Sequence, residues 1–200
     1  MKVMKYPAKE EWGKLVERPH LDVSQLNSTV EGVLNDVKNN GDAAVKHYEE
    51  KFDHAHLSAL AVTEAEIEEA EGLISPELKH ALELAHHNIA TFHQSQKFEG
   101  EKVETAPGVT CWQKSVAIEK VGLYIPGGTA PLFSTVLMLA TPAKIAGCKE
   151  IVLCTPPNAE GKVNPAILMA AKIAGVSKIF KAGGVQAIGA MAYGTESVPK

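Results

Sequence analysis

The chain has 200 residues, enough for one large domain or two small ones, and its 45% hydrophobic content argues against disorder. Lys and Arg number 20 against 24 Asp and Glu, giving a net charge of −4 with no basic cluster, which argues against a nucleic-acid partner. The longest apolar stretch, Val136 to Ala140 with its neighbours, is interrupted by Thr141-Pro142 and is too short to span a bilayer.

The N-terminus carries Lys2, Lys5, Lys9 and Glu10 with no apolar segment behind them, so no signal peptide is expected. Residues 1–115 read as mainly helical. Gln25 to Asn39 carries Leu26, Val30, Val33, Leu34 and Val37 on one face, and Asn40-Gly41 stops it. Val45, Tyr48 and Phe52 mark a second helix. Thr63 opens a Thr-x-x-Glu capping box ahead of Ile67, Ala70 and Ile74. Ser75-Pro76 opens a longer helix with Leu78, Leu82, Ala85, Ile89 and Phe92 as its buried stripe. Pro107-Gly108 marks a turn, and Val109, Cys111 and Trp112 predict a short strand or hairpin beside it. A domain boundary is placed near residue 115.

From 116 to 200 the rhythm changes. Apolar runs at Val121–Ile125, Ile151–Cys154 and Lys178–Phe180 alternate with helical segments at Thr135–Ala146, Pro165–Ala174 and Val185–Tyr193. This β-α-β-α-β-α order predicts an α/β fold with a parallel sheet and right-handed crossovers, covered on both faces. Thr141-Pro142 predicts a kink or two short helices in the first of these segments. Ile145-Ala146-Gly147 recurs 28 residues later as Ile173-Ala174-Gly175, each Gly standing where a helix C-terminus needs a left-handed residue. Gly127-Gly128 recurs 56 residues later as Gly183-Gly184. Both pairs follow a strand and precede a helix, so both face the crevice at the strand C-termini, where open α/β sheets bind ligands.

The first turn, Pro126-Gly127-Gly128-Thr129, lacks the spacing of a standard dinucleotide fingerprint and lacks Gly-Lys-Ser/Thr. It reads either as a cradle presenting backbone N–H groups to a nucleotide or as a tight turn whose glycines only ease packing. Tyr124, near the end of its strand, suits stacking or hydrogen bonding to a ligand, or a core position with its hydroxyl satisfied. Gln186, at the start of the last helix, suits a ribose or pyrophosphate, or a solvated first turn. All eight histidines lie between His20 and His93, and His54-x-His56 and His86-His87 read as solvated rather than metal-binding. Cys111, Cys148 and Cys154 lack metal spacing and read as reduced thiols of a cytoplasmic protein, Cys148 and Cys154 as buried structural thiols or, in the alternative, as a thiolate nucleophile for an aldehyde. Glu64 to Glu71 reads as a wet helix face. The α/β segment holds no His, and no carboxylate cluster is expected at the crevice.

Val121 to Cys148, with Tyr-Ile-Pro-Gly-Gly at its centre, closely resembles histidinol dehydrogenases. So do Gly-Gly-Val-Gln-Ala-Ile, Gly-Thr-Glu-Ser-Val-Pro-Lys and the N-terminal Gly41-Asp42, Tyr48 and Phe52-Asp53. The resemblance covers nearly the whole chain. It implies a helical region followed by an incomplete Rossmann-like domain of aldehyde-dehydrogenase-like architecture. It implies NAD- and zinc-dependent oxidation of L-histidinol through L-histidinal to L-histidine, the last step of histidine biosynthesis, by an intertwined homodimer. Tyr124 and Gln186 fall on NAD-contacting positions of the family, with Pro126, Gly127 and Gly128 in the same block. Family members are longer, so their zinc ligands, Glu-His base pair and much of the histidinol pocket are expected outside these residues. No catalytic or metal-binding residue is carried over, and the 200-residue chain alone is expected to be inactive, in the alternative a nucleotide-binding or protein-interaction domain.

Overall fold

The structure, a computed structural model, describes residues 3–18, 24–128 and 131–200. After a 3-10 turn, Lys9–Glu11, come α1 (Trp12–Leu15), α2 (Ser24–Asp53), α3 (Glu64–Leu73) and α4 (Pro76–Gln94). A hairpin follows, β1 (Lys102–Ala106) and β2 (Val109–Trp112). The chain then alternates through β3 (Lys120–Tyr124), α5 (Phe133–Ala146), β4 (Glu150–Thr155), α6 (Pro165–Ala174), β5 (Lys178–Lys181) and α7 (Gly184–Tyr193).

Local chemistry accounts for most of these boundaries. The Thr63 side chain accepts from the Glu66 N–H, while Glu66 takes the Thr63 N–H at 2.8 Å, a closed capping box. Ser75 caps α4 through the Leu78 N–H, with Pro76 first in the helix. Gly147 and Gly175 end α5 and α6 in the left-handed region, at φ 93° and 74°. Helix α2 breaks at Gly41 (φ 53°, ψ −132°) and restarts at once. Asp42 then accepts from Thr195 Oγ1 at 2.5 Å and from the Ser197 N–H and hydroxyl, while the Asp42 N–H donates to Glu196. The last residues of the chain are thereby fixed to the break in α2.

Three expectations need correction. Helix α5 is one helix through Pro142 rather than two short ones. Proline costs it one backbone hydrogen bond, and the burial of Val136, Leu137, Ala140 and Thr141 along the same helix offsets that loss. Leu26 and Phe92 leave their predicted stripes and are 60% and 62% exposed, because the packed length of each helix ends before reaching them. Glu66, Glu69 and Glu71 are more than a wet face. They pair with Lys181, Lys162, and Lys79 together with Lys172, tying α3 to α4, α6, β5 and the loop before α6.

The sheet is parallel in the order β3-β4-β5, with Tyr124 beside Cys154 and Cys154 beside Phe180. Its strands carry apolar residues on both faces. Leu123, Leu153 and Ile179 join one core with α3, α4, α5 and α6. Tyr124, Val152, Cys154 and Phe180 join the other with α2 and α7. Alternate residues of one strand thus feed opposite cores, the strand period of two with both sides covered. Helices from before residue 115 complete both cores, since α2 packs on α7, α3 on α6 and α4 on α5. The segment before α3 lies along β5, its Val62 N–H donating to Ile179 O at 2.9 Å. Among the described residues, no helix is long and apolar enough to cross a membrane.

Candidate functional site

The parallel sheet brings the ends of β3, β4 and β5 to one edge. The segments leaving it are Pro126-Gly127-Gly128, Pro156-Pro157 and Ala182-Gly183-Gly184. Pro156 stands between the two Gly-Gly turns. A Cβ on Gly127 would lie 2.6 Å from Pro156 Cγ, and one on Gly183 would lie 2.7 Å from Pro156 Cβ. Both glycines therefore permit close packing. Gly128 (φ 140°) has open space where a Cβ would stand, and there the backbone conformation is what favours glycine. The end of β3 is tied to the second turn, because the Gly184 N–H donates to the Tyr124 hydroxyl at 3.0 Å. Thr129 and Ala130, within the first Gly-rich segment, lie outside the described residues.

Two cavities open beside this junction. One, of about 410 Å³, is lined by Phe52, Tyr124, Gly127, Gly128, Gly184 and Gln186, among others. The other, of about 570 Å³, lies across Gly127 and Gly128 and reaches Asn158, Lys162 and Glu66. Pro126, Pro156 and Asp53 line both. These volumes fall within the range of small-molecule sites. All five residues singled out from sequence, Tyr124, Pro126, Gly127, Gly128 and Gln186, line the smaller cavity.

The second turn departs from a free backbone cradle. The Gly183 N–H donates to Glu49 Oε1 at 2.7 Å, and Gln186 Nε2 donates to the same oxygen at 2.8 Å. Gln186 is 1% exposed, so the solvated first-turn reading does not hold. Among the described residues its Oε1 is buried without a hydrogen-bond partner, and the Glu49 carboxyl stands against that of Asp53, with which it shares a hydrogen bond when one of the two is protonated. Glu49 is fully buried, and that burial pushes its carboxyl up to about 7. The hydrogen bonds from Gly183 and Gln186 oppose the rise, and the charge of Asp53 adds to it. Asp53 is also raised, chiefly by burial.

Two carboxyls thus stand together here, contrary to expectation, Asp53 lining the crevice and Glu49 buried behind it. Both come from α2, which lies far from the α/β segment in sequence and packs along α7. Their signal in the sequence was an acid inside an apolar stripe: Val45, Glu49 and Asp53 follow one another at helical i, i+4 spacing. Cys148 and Cys154 are buried as expected, and Cys154 is pushed up to about 12 by burial and then by Glu49, which makes it a poor nucleophile. Cys111 is exposed on the hairpin. Among the described residues, no three His, Cys, Asp or Glu side chains gather as a metal site. His20 lies outside those residues.

The histidinol dehydrogenase family profile matches residues 16–200. The chain belongs to the histidinol dehydrogenase family. Histidinol dehydrogenase from Bacteroides thetaiotaomicron is 68% identical over 200 residues, which is all of this chain and 47% of that protein. The Escherichia coli K12 histidinol dehydrogenase is 50% identical over 192 residues, 96% of this chain and 43% of that protein. The crystal structure of histidinol dehydrogenase from Elizabethkingia anophelis superposes with a TM-score of 0.91 at 49% identity, covering 97% of this chain and 45% of that one. The chain spans about half the length of the curated histidinol dehydrogenases it matches.

Proposed function

We propose that this chain forms the cofactor-holding part of a histidinol dehydrogenase, an oxidoreductase of histidine biosynthesis that converts L-histidinol through L-histidinal to L-histidine. The observation that carries the reading is the Tyr124–Gly184 hydrogen bond, which ties the end of β3 to the second Gly-Gly turn beside a cavity that residues of both turns line. The buried, unpartnered Gln186 Oε1 beside that cavity supports a ligand rich in donors, such as the ribose hydroxyls or carboxamide of NAD.

Bound NAD supplies the hydride acceptor. The residues of this chain bind and orient it, which is a proximity role. Tyr124 offers its ring and its remaining hydroxyl proton. Pro126, Gly127 and Gly128 leave the first turn low enough for a ligand to approach its backbone. Gln186 offers its carbonyl oxygen. The described residues provide no fitting set of zinc ligands, so no zinc-dependent step is derived from them. Zinc, the base and the homodimer belong to the complete enzyme under this proposal, which we assign to the cytoplasm. The 200-residue chain alone is expected not to turn over histidinol.

Two measurements test the reading. In a full-length enzyme, Tyr124→Ala is expected to raise the KM for NAD with little change in zinc affinity, and equal NAD affinity in mutant and parent sinks the assignment. In a histidinol-dependent NADH absorbance assay the isolated chain is expected to be silent, and turnover would contradict placing the bond-making groups elsewhere.

A further inference from the structure

Among the described residues Glu49 is a buried acid with no ion pair and no cation facing it. From α2 it meets Asp53, itself beside His54; from β4 it meets the Cys154 thiol; from α7 and its cap it meets the amides of Gln186 and Gly183. The Tyr124 hydroxyl, from β3, sits one residue away on the Gly184 N–H. A carboxyl buried in this way costs stability unless its hydrogen bonds compensate. Here one oxygen, Oε1, takes two of them, and they come from the two groups that set the geometry of the second turn.

We infer that Glu49 is the positioning residue of this cleft, fixing the Gln186 amide and the first turn of α7 in the arrangement that meets the ligand. The inference rests on the nucleotide reading above and assigns a residue that does not itself touch the ligand. With Nε2 committed to Glu49, the free atom of Gln186 is its carbonyl oxygen, so Gln186 meets a ligand as an acceptor. Glu49 thereby selects donor groups, hydroxyl or amide, over phosphate oxygens at that point. The same bond draws α7 onto α2, so the ligand-facing turn and the helix behind it move as one unit. Protonation leaves Oε1 an acceptor but removes its charge, which weakens both bonds without breaking them. The arrangement is held most firmly at high pH, although Glu49 itself is least comfortable there.

The test combines amide NMR with NAD titration on the 200-residue chain. In the parent, the Gly183 amide and the Gln186 side-chain amide are expected to shift together with pH, with a midpoint near the value of about 7 to which burial pushes Glu49. In Glu49→Gln, which keeps a carbonyl acceptor at the same place, both resonances are expected to stay still and NAD affinity to be largely retained. Glu49→Leu removes the acceptor of both hydrogen bonds and is expected to weaken NAD binding by about tenfold or more, since a single hydrogen bond to a charged group is already of that scale. Gln186→Ala is expected to weaken it too, and the double variant to lose less than the product of the two single losses, because Glu49 acts partly through Gln186 and partly through the Gly183 N–H. Losses that multiply in the double variant would overturn the inference, since Glu49 would then act independently. Should Glu49→Leu fail to fold, the amide titration and Glu49→Gln decide alone. A parent that never binds NAD retracts the nucleotide reading, whereas amides that ignore pH overturn the role of Glu49 whether or not NAD binds.

Discussion

The two Gly-Gly turns share a sequence signature and a place in the fold, yet they are built to opposite ends. Gly127 and Gly128 are exposed between two cavities. Gly183 is buried, and the Gly183 and Gly184 N–H groups are already engaged, one by Glu49 and one by Tyr124. The repeat in sequence therefore marks a repeat of βα topology, while the chemistry of each turn is decided by what packs behind it. Behind the second turn lies α2, which brings two carboxyls; the first turn opens onto cavities on either side. A Gly-Gly turn after a parallel strand is a permissive backbone, and its neighbours determine whether it is a pinned hinge point or an open cradle.

The largest expected effect that sharpens this contrast is on pH-dependent stability. The Glu49 carboxyl is raised from 4.5 to about 7 in the folded protein. Between those values the folded state holds a proton that the unfolded state has lost. Stability therefore falls as pH rises through that window and levels off above it, by about 3 kcal/mol from this group alone. Asp53 is raised and acts in the same direction. Asp42 and Glu66 are lowered because their hydrogen bonds outweigh burial, so their contributions are lost only as pH falls below the usual carboxylate range. Urea unfolding at pH 5 and pH 8 reads the difference, and Glu49→Gln is expected to flatten it. A parent more stable at pH 8 than at pH 5 would break the account of the second turn.

Next in size is a matched pair of glycine substitutions. Gly183→Ala places a methyl against Pro156 and within 3.3 Å of Asp53 Oδ2, and is expected to cost about 2 kcal/mol through overpacking. Gly128→Ala meets no neighbour among the described residues and is expected to cost about 1 kcal/mol through its backbone conformation. Equal costs in urea unfolding would show that the turns are packed alike. Tyr124→Phe removes the acceptor of the Gly184 N–H and is expected to cost about 1 kcal/mol, again by urea unfolding. Lys162→Ala breaks an exposed pair with Glu69 at the far wall of the larger cavity, and the urea midpoint is expected not to move.

Much of this fold is legible in the residues. The βα rhythm after residue 116, the glycine caps at 147 and 175, the Thr63 capping box and the Ser75-Pro76 helix start each rest on interactions within a few residues, which a sequence displays directly. What escapes is long-range. Glu49 reaches Gly183 and Gln186 across more than a hundred residues, and Glu66, Glu69 and Glu71 find lysines on other elements. An acid on a helix reads as solvated until the partner surface is known. Pro142 escapes for the same reason, since tertiary packing keeps α5 continuous where local propensity would break it. In the site, Tyr124 and the glycines were legible from their place at the strand ends. The burial of Gln186 was not, because it depends on a helix from the other end of the chain.

The central claim is that the cavity between the two Gly-Gly turns holds NAD. Calorimetric titration of NAD into the 200-residue chain and into Tyr124→Ala, at a temperature where both give a folded circular-dichroism spectrum, tests it most directly. The account predicts saturable one-site binding to the parent and markedly weaker binding to the variant. No saturable heat in the parent, or equal affinity in the two proteins, would contradict it.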